Sequence, residues 1–425
     1  MLDTILNSRN IERSLRAVER NKGSGGIDDM QSDELRPFVN ANRRFLMNRI
    51  MEGRYEPSAV RKVEIPKAGG GLRTLGIPTV SDRMIQQAIY LWLSPMYEGE
   101  FDKHSYGFRP GKNAHQAVRT AQGFLNDGYT WIIELDLEKF FDKVNHQKLM
   151  HLLSQKVKEK RTLLLINAYL RSGIMEGGLV SQRIEGTPQG SPLSPLLSNI
   201  MLHELDKELN ERGHKFVRYA DDCSIYVKSE KSAQRVAESI VKYIESELLL
   251  KVNREKTKIS RAQDSQLLGF SFYQDKGKYE IRISEKSLHR IRAKCKTVTR
   301  SSDPTSETSR LLKLDEIIRG WVNYFKIAKA KGKMEKLDAM VRTRLRIITW
   351  RSWKRIRTRT TQLQHLGIKR SQAYMWGNTS LGPCRISHSP ILMTTLNIRY
   401  WRQAGYVGFS NYYSTWQTAM SPTLF

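Results

Sequence analysis

The chain has 425 residues, with 71 Lys+Arg against 43 Asp+Glu, a formal net charge of +28. That length supports two or three domains with a full core, without a disulfide or metal staple. Cys223, Cys295 and Cys384 lie far apart with no CxxC pair, which argues against a disulfide framework or zinc site and for a reducing compartment.

Residues 1 to about 60 read as helices, interrupted by the glycine-rich loop Asn21-Lys22-Gly23-Ser24-Gly25-Gly26-Ile27-Asp28. No Gly-Lys-Ser/Thr follows that loop, so it does not read as a P-loop. Arg61 to Ile77 reads as two short strands around Ala68-Gly69-Gly70-Gly71, and helical spacing returns from Val80 to Leu93. Trp131 to Leu137 is a mostly apolar strand carrying Asp136 near its end, with a helix from Asn145 onward. Lys215 to Lys228 reads as a hairpin with Asp221 and Asp222 at its tip. The first 280 residues therefore mix strands and helices as an α+β domain.

The pattern changes after a turn at Asp275 to Lys278. Leu311, Leu314, Ile318, Trp321 and Phe325 recur at spacings of three and four, an amphipathic helix. Residues 301 to 306, Ser-Ser-Asp-Pro-Thr-Ser, read as a loop, and 285 to about 365 as a helical module around it. The last 60 residues are polar and aromatic, without a readable fold. No apolar run approaches the ~20 residues of a membrane span. The N-terminus lacks the basic and apolar regions of a secretory signal. A cytoplasmic, nucleic-acid-associated protein is expected, with no membrane partner.

The charge is unevenly spread. No Asp or Glu follows Asp338, yet Met340 to Phe425 carries 13 Lys+Arg. Trp350, Trp353, Tyr374, Trp376, Tyr400 and Trp401 are interleaved with them. Guanidinium groups pair with phosphates and flat rings stack on bases, which suits single-stranded or irregular RNA. Candidate contacts are Arg351, Lys354, Arg355, Arg357 and Arg359. The competing reading is a solvated basic face over a core, since Trp350 and Trp353 share a helical face with Ile347 and Ile356.

A carboxylate at the end of an apolar strand is costly unless something pairs it. Asp221-Asp222 alone would read as an Asx turn. Asp136 at one strand end and two acids at a hairpin tip can instead converge on two divalent cations, the arrangement in-line phosphoryl transfer requires. Mg²⁺, which prefers oxygen ligands, suits such a site.

Seven boxes then stand in order. Leu75-Gly76-Ile77-Pro78 and Ser105-Tyr106-Gly107-Phe108-Arg109-Pro110-Gly111 come first, followed by Leu135-Asp136-Leu137-Glu138-Lys139-Phe140-Phe141. The run from Gly186-Thr187-Pro188-Gln189-Gly190 to Asn199-Ile200 precedes Tyr219-Ala220-Asp221-Asp222, which looks like a YxDD box. Leu267-Leu268-Gly269-Phe270 and Gly320-Trp321-Val322-Asn323-Tyr324-Phe325 follow. Over nearly its whole length the chain resembles the bacterial group II intron-encoded reverse transcriptase/maturase of the short, endonuclease-lacking type.

The resemblance implies an α+β right-hand polymerase, its fingers and palm followed by a helical thumb and a small basic C-terminal domain. Residues 1–80 would hold an N-terminal extension and the start of the fingers, 81–280 fingers and palm, 281–365 the thumb, and 366–425 a DNA-binding-like domain. It implies catalytic roles for Asp136, Asp221 and Asp222, with Asp136, Asp221 and the Leu137 carbonyl on metal. Lys67 and Arg73 match a triphosphate-binding pair, against the alternative of an exposed hairpin with incidental charge. Gln189 matches a glutamine beside the incoming nucleotide, against a helix-start residue after Pro188. Phe141 matches an aromatic that leaves no room for a 2′-hydroxyl, against a core ring beside Phe140. Gly23, Gly25 and Gly26 match a loop closing over the template.

Implied partners are an RNA template, a group II intron RNA, a DNA primer or target, and dNTPs. Ser191-Pro192 departs from the second glycine and aliphatic residue that many members carry. Two other readings remain: a splicing-only maturase, and an intron-free reverse transcriptase serving defence or DNA repair.

Overall fold

The computed structural model describes residues 1–66, 71–176, 179–181 and 184–420. They form two compact units, Met1–Ser265 and the residues from Gln266 on. The first unit opens with α1 (Leu2–Ile5), α2 (Ser8–Asn21) and α3 (Leu35–Met51). Ile11, Leu15 and Val18, spaced four and three apart, bury one face of α2. Lys22 ends that helix in the left-handed region, φ 45°, where the glycine-rich loop begins.

A hairpin of β1 (Val60–Pro66) and β2 (Leu72–Ile77) leads into α4 (Val80–Glu98) and α5 (Ala114–Asn126). Thr79 caps α4 by accepting from the Asp82 N–H, and Asn113 with Gln116 forms a capping box on α5. Then come β3 (Trp131–Leu135), α6 (Phe140–Lys143), α7 (His146–Ser154), α8 (Lys160–Arg171), β4 (Ile174–Glu176) and β5 (Leu179–Ser181). The unit continues with α9 (Ser194–Glu211), β6 (Lys215–Tyr219), β7 (Asp222–Val227), α10 (Glu230–Ser246) and β8 (Lys258–Arg261).

Among the described residues these strands make two four-stranded sheets, β2-β1-β4-β5 and β6-β7-β3-β8. In the second sheet β7 lies between β6 and β3 and is buried from Cys223 to Val227, Ser224 included. Ile133, Leu135, Phe216 and Ile225 share one core with Leu197, Met201 and Leu205 of α9 and Ile240 of α10. That core makes the sheet a rigid platform.

The second unit begins with β9 (Phe270–Asp275) and β10 (Lys278–Ile283), joined by Lys276-Gly277, both with positive φ (49° and 81°). Two positive-φ residues suit a two-residue hairpin turn. Phe270 packs on Phe325 with ring centroids 4.9 Å apart, so the hairpin belongs with the helices that follow it. Those are α11 (Glu285–Val298), α12 (Glu307–Phe325), α13 (Lys331–Ser352), α14 (Ile356–His365) and α15 (Arg370–Gly377). The chain goes on through α16 (Pro383–Ile386), α17 (Pro390–Thr395), α18 (Ile398–Gln403) and α19 (Phe409–Met420).

Leu311, Leu314, Ile318 and Phe325 are buried on α12, following the spacing, with Ser306 capping the helix. Residues 370–420, whose fold the sequence left unread, carry the five short helices α15 to α19. One feature differs from expectation: α13 stops at Ser352, so Ile356 opens a new helix and lies exposed instead of sharing a face with Trp350 and Trp353. Among the described residues no helix is long and apolar enough to cross a membrane.

Candidate active site

Strand register assembles the acids. Leu135 of β3 lies opposite Cys223 of β7, and Tyr219 pairs with Asp222 across the two-residue turn Ala220-Asp221. Asp136, one residue past β3, therefore stands beside Asp221 at the same sheet edge. Ala220 takes the left-handed conformation, φ 58°, unusual for a residue with a Cβ. Gly107 lies against this turn: a Cβ there would sit 2.2 Å from the Ala220 nitrogen.

Asp136 is clamped by the segment after α10. Its carbonyl accepts from the Asn253 N–H at 2.8 Å, and its N–H donates to Thr257 Oγ1 at 3.2 Å. Leu137 forms a bridge with Val252. The Lys256 ammonium approaches the Asp136 carboxylate at 3.7 Å but stays largely exposed.

A cavity of about 1000 Å³ opens above these acids, lined by Arg73, Asp136, Leu137, Phe141, Gln189 and Asp221. Arg73 Nε donates to Gln189 Oε1 at 2.8 Å, and the Gln189 carbonyl accepts from the Gly76 N–H at 2.8 Å. The Gln189 loop is thus tied to the β1–β2 hairpin. Phe140 is buried and meets Phe141 edge-on at 5.3 Å, whereas Phe141 is half-buried and faces the cavity. Lys67 lies outside the described residues.

Phe141 and Gln189 also line an adjoining hollow of about 410 Å³, with Asn21, Arg83 and Phe108. The glycine-rich loop is pinned beside it. Arg83 donates to the Ser24 carbonyl at 2.6 Å, and Gly26 packs so closely on Thr79 that a Cβ would lie 2.6 Å away. Gly23 and Gly25 belong to the same pinned loop.

The acids at the turn are shifted by burial and by neighbouring acids. Burial raises the Asp221 pKa, Arg73 opposes the shift, and Asp136 adds to it. Burial and then Asp221, Glu134 and Asp136 push Asp222 up to about 7. Asp222 nevertheless keeps solvent access by surface area and does not line the cavity, so Asp136 and Asp221 form the facing pair. Among the described residues no three His, Cys, Asp or Glu side chains cluster as a ready metal cage. Two crowded carboxylates open to a cavity still fit Mg²⁺, which completes its shell with water and phosphate oxygens. Lys251, Arg254 and Lys256 also line the cavity. Sequence spacing offered no signal for them, because an irregular segment carries them to the site.

In the second unit Arg351, Lys354, Arg355 and Arg357 are exposed. Arg359 instead lies over the Trp350 ring at 4.7 Å and donates to the Trp353 carbonyl at 2.9 Å. Trp350, Trp353 and Trp401 are buried, so these rings are core and not stacking platforms. Tyr374 is exposed and, with Arg357 and Arg370, lines a groove between α14 and α15.

Residues 65–272 match the reverse transcriptase (RNA-dependent DNA polymerase) family and residues 288–367 the group II intron maturase-specific domain. Protein YkfC of Escherichia coli K12 is 33% identical over 298 residues, 61% of this chain and 78% of YkfC. The chain belongs to the group II intron reverse transcriptase/maturase family. The group II intron-encoded protein LtrA of Lactococcus lactis is 29% identical over 379 residues, 73% of this chain and 60% of LtrA. A solved partial Cas6-RT-Cas1–Cas2 complex is 25% identical, covers 58% of this chain and 42% of its own, and has a TM-score of 0.38.

This reverse transcriptase/maturase is an RNA-directed DNA polymerase by class, with the α+β right-hand fold of fingers and palm followed by a helical thumb. Both matched domains imply binding of RNA and DNA.

Proposed function

We propose that the protein extends a primer 3′-hydroxyl with dNTPs on an RNA template, and assists splicing and mobility of a group II intron RNA. One observation carries the reading: strand register delivers Asp136 and Asp221 to one cavity that also holds Arg73, Gln189 and Phe141. Bound Mg²⁺ would activate the attacking oxygen and neutralise charge on the departing pyrophosphate. Asp136 and Asp221 would hold it through carboxylate oxygens, helped by the Leu137 carbonyl, with Asp222 reinforcing the local negative field.

The remaining residues bind and orient. Arg73 presents a planar fork to the triphosphate, with Lys67 as its companion by resemblance. Gln189, already tied to Arg73, sets the incoming nucleotide against the palm. Phe141 fills the space a 2′-hydroxyl would need. The loop of Gly23, Gly25 and Gly26 closes on the template. Arg351, Lys354, Arg355 and Arg357 face intron RNA or target DNA, while Arg359 braces the tryptophans beneath them. The four-part division at 80, 280 and 365 and a cytoplasmic location belong to the same reading. The paired acids and intact nucleotide pocket favour an active polymerase over a splicing-only maturase.

The test is primer extension on an RNA template with Mg²⁺, using dNTPs and rNTPs in parallel. Extension with dNTPs is expected, and Phe141→Ala should relax discrimination against rNTPs by about tenfold or more. No extension by the parent protein sinks the polymerase reading. An unchanged ratio in the variant would show that Phe141 is not the sugar gate.

A further inference from the structure

Behind the Ala220-Asp221 turn lies an ion pair that the cavity never touches. Arg218 of β6 and Asp206 of α9 are fully buried. Arg218 Nε donates to Asp206 Oδ1 at 2.7 Å and Nη2 to Oδ2 at 2.5 Å. The third arm of the fork points at the catalytic turn: Nη1 donates to the Ala220 carbonyl at 2.9 Å and to Asn199 Oδ1 at 3.0 Å. Asn199, also buried on α9, donates through Nδ2 to the Gly107 carbonyl at 2.9 Å. Gly107 is the residue pressed against the Ala220 nitrogen.

We infer that Arg218, Asp206 and Asn199 are positioning residues that set the Asp221 carboxylate for metal. Ala220 is confined on two sides, its carbonyl hydrogen-bonded by the guanidinium and its nitrogen packed against Gly107. The Ala220 carbonyl belongs to the peptide it shares with Asp221, so gripping it aims the acid directly. A left-handed alanine persists only where its surroundings over-determine it, and here they do. Backbone pairing adds to the grip: the Arg218 N–H donates to the His104 carbonyl at 2.9 Å, and the Arg218 carbonyl accepts from the Tyr106 N–H at 2.8 Å.

A buried ion pair is weak evidence for stability, because apolar residues of the same volume often stabilise as well or better. Geometry is what this pair supplies. A planar fork reaches Asp206, Asn199 and Ala220 at once, which a lysine ammonium does not. Asn199 and Asp206 stand seven residues apart, on one face of α9. That helix starts at Ser194, just after the Gln189 loop, so one rigid element sets both the nucleotide pocket and the metal turn.

This inference rests on Asp221 being a metal ligand, and the experiment separates the two claims. Mn²⁺ binding to the full-length protein on an RNA template–primer is followed by electron paramagnetic resonance, alongside the Mg²⁺ dependence of extension. Arg218→Lys and Asn199→Ala are each expected to weaken Mn²⁺ binding and raise the Mg²⁺ requirement by about tenfold. Template–primer affinity should stay within about twofold, since no nucleic-acid contact is removed. Asn199→Ala leaves the ion pair intact and decides the matter if Arg218→Lys fails to fold. Asp221→Asn serves as reference. If it binds Mn²⁺ like the parent, the metal reading falls and this inference with it. If it loses Mn²⁺ while folded Asn199→Ala does not, the positioning role alone is overturned.

Discussion

Acids are treated in opposite ways at two places, Asp338 in the second unit and the Asp221-Asp222 turn in the first. Asp338, the last acid of the chain, is buried in the second unit and fully satisfied. It accepts from Tyr406 Oη at 2.7 Å, the Phe409 and Ser410 N–H groups at 2.7 and 2.9 Å, and Ser410 Oγ at 2.5 Å. It thereby caps α19 and ties that helix to α13. Asp221 and Asp222 in the first unit are crowded by other acids, and their pKa values are raised. An acid with every lone pair answered is structural, whereas the crowded acids at the turn are, in the function proposed above, kept for a cation.

Four measurements break or sharpen this contrast. The largest effect is expected at the cation-seeking pair: Asp221→Ala or Asp136→Ala should slow primer extension by a factor on the order of 10³ or more. RNA affinity should persist, because no template contact is removed. Near-normal extension would end the assignment. At the satisfied acid, Asp338→Asn should cost about 2 kcal/mol of stability, read by denaturant melting. A variant as stable as the parent would show that Asp338 is not the tie between α13 and α19.

The third measurement concerns the basic face. Each phosphate contact on a single strand contributes a log–log salt slope of roughly −0.7. Changing Arg351, Lys354, Arg355 and Arg357 together to Gln should flatten the RNA-binding slope by about two units if three of them touch phosphate. An unaltered slope identifies a solvated surface. Arg359 is left in place, because its stacking on Trp350 would confound the result with unfolding.

The smallest effect has the opposite sign from Asp338. Asp222 titrates near 7 when folded, above the usual carboxylate value, so its ionised form opposes folding. That penalty is absent below about pH 4, grows between about 4 and 7, and is complete above. Metal-free Asp222→Asn should therefore gain about 1 kcal/mol at pH 8, a figure reduced for solvent screening, and nothing at pH 4. Equal stability at both pH values would show that Asp222 is not crowded in solution.

Much of the palm was legible because its signals are local. A mostly apolar run and turn acids located β3 and the β6–β7 hairpin, while Gln189 and Phe141 were pointed to by the family resemblance. The C-terminal helices were not legible, since short helices with mixed faces leave no clear period. Trp350 and Trp353 looked equally suited to RNA stacking and to a core, and only packing could choose. Lys251, Arg254 and Lys256 were invisible because nothing in their spacing links them to Asp136, over a hundred positions earlier.

The sequence by itself determined the chemistry available: which acids end strands, where one sign of charge is excluded, and which motifs stand in order. Those properties follow from residue identity and short-range spacing. Tertiary structure alone decided which acids share a cavity, which arginines are exposed, and what holds the Ala220-Asp221 turn. Asp206, Asn199 and Gly107 meet Arg218 and Ala220 only when α9, the 104–107 segment and the sheet close together. Contacts between chain-distant residues depend on that closure, and no local pattern encodes them.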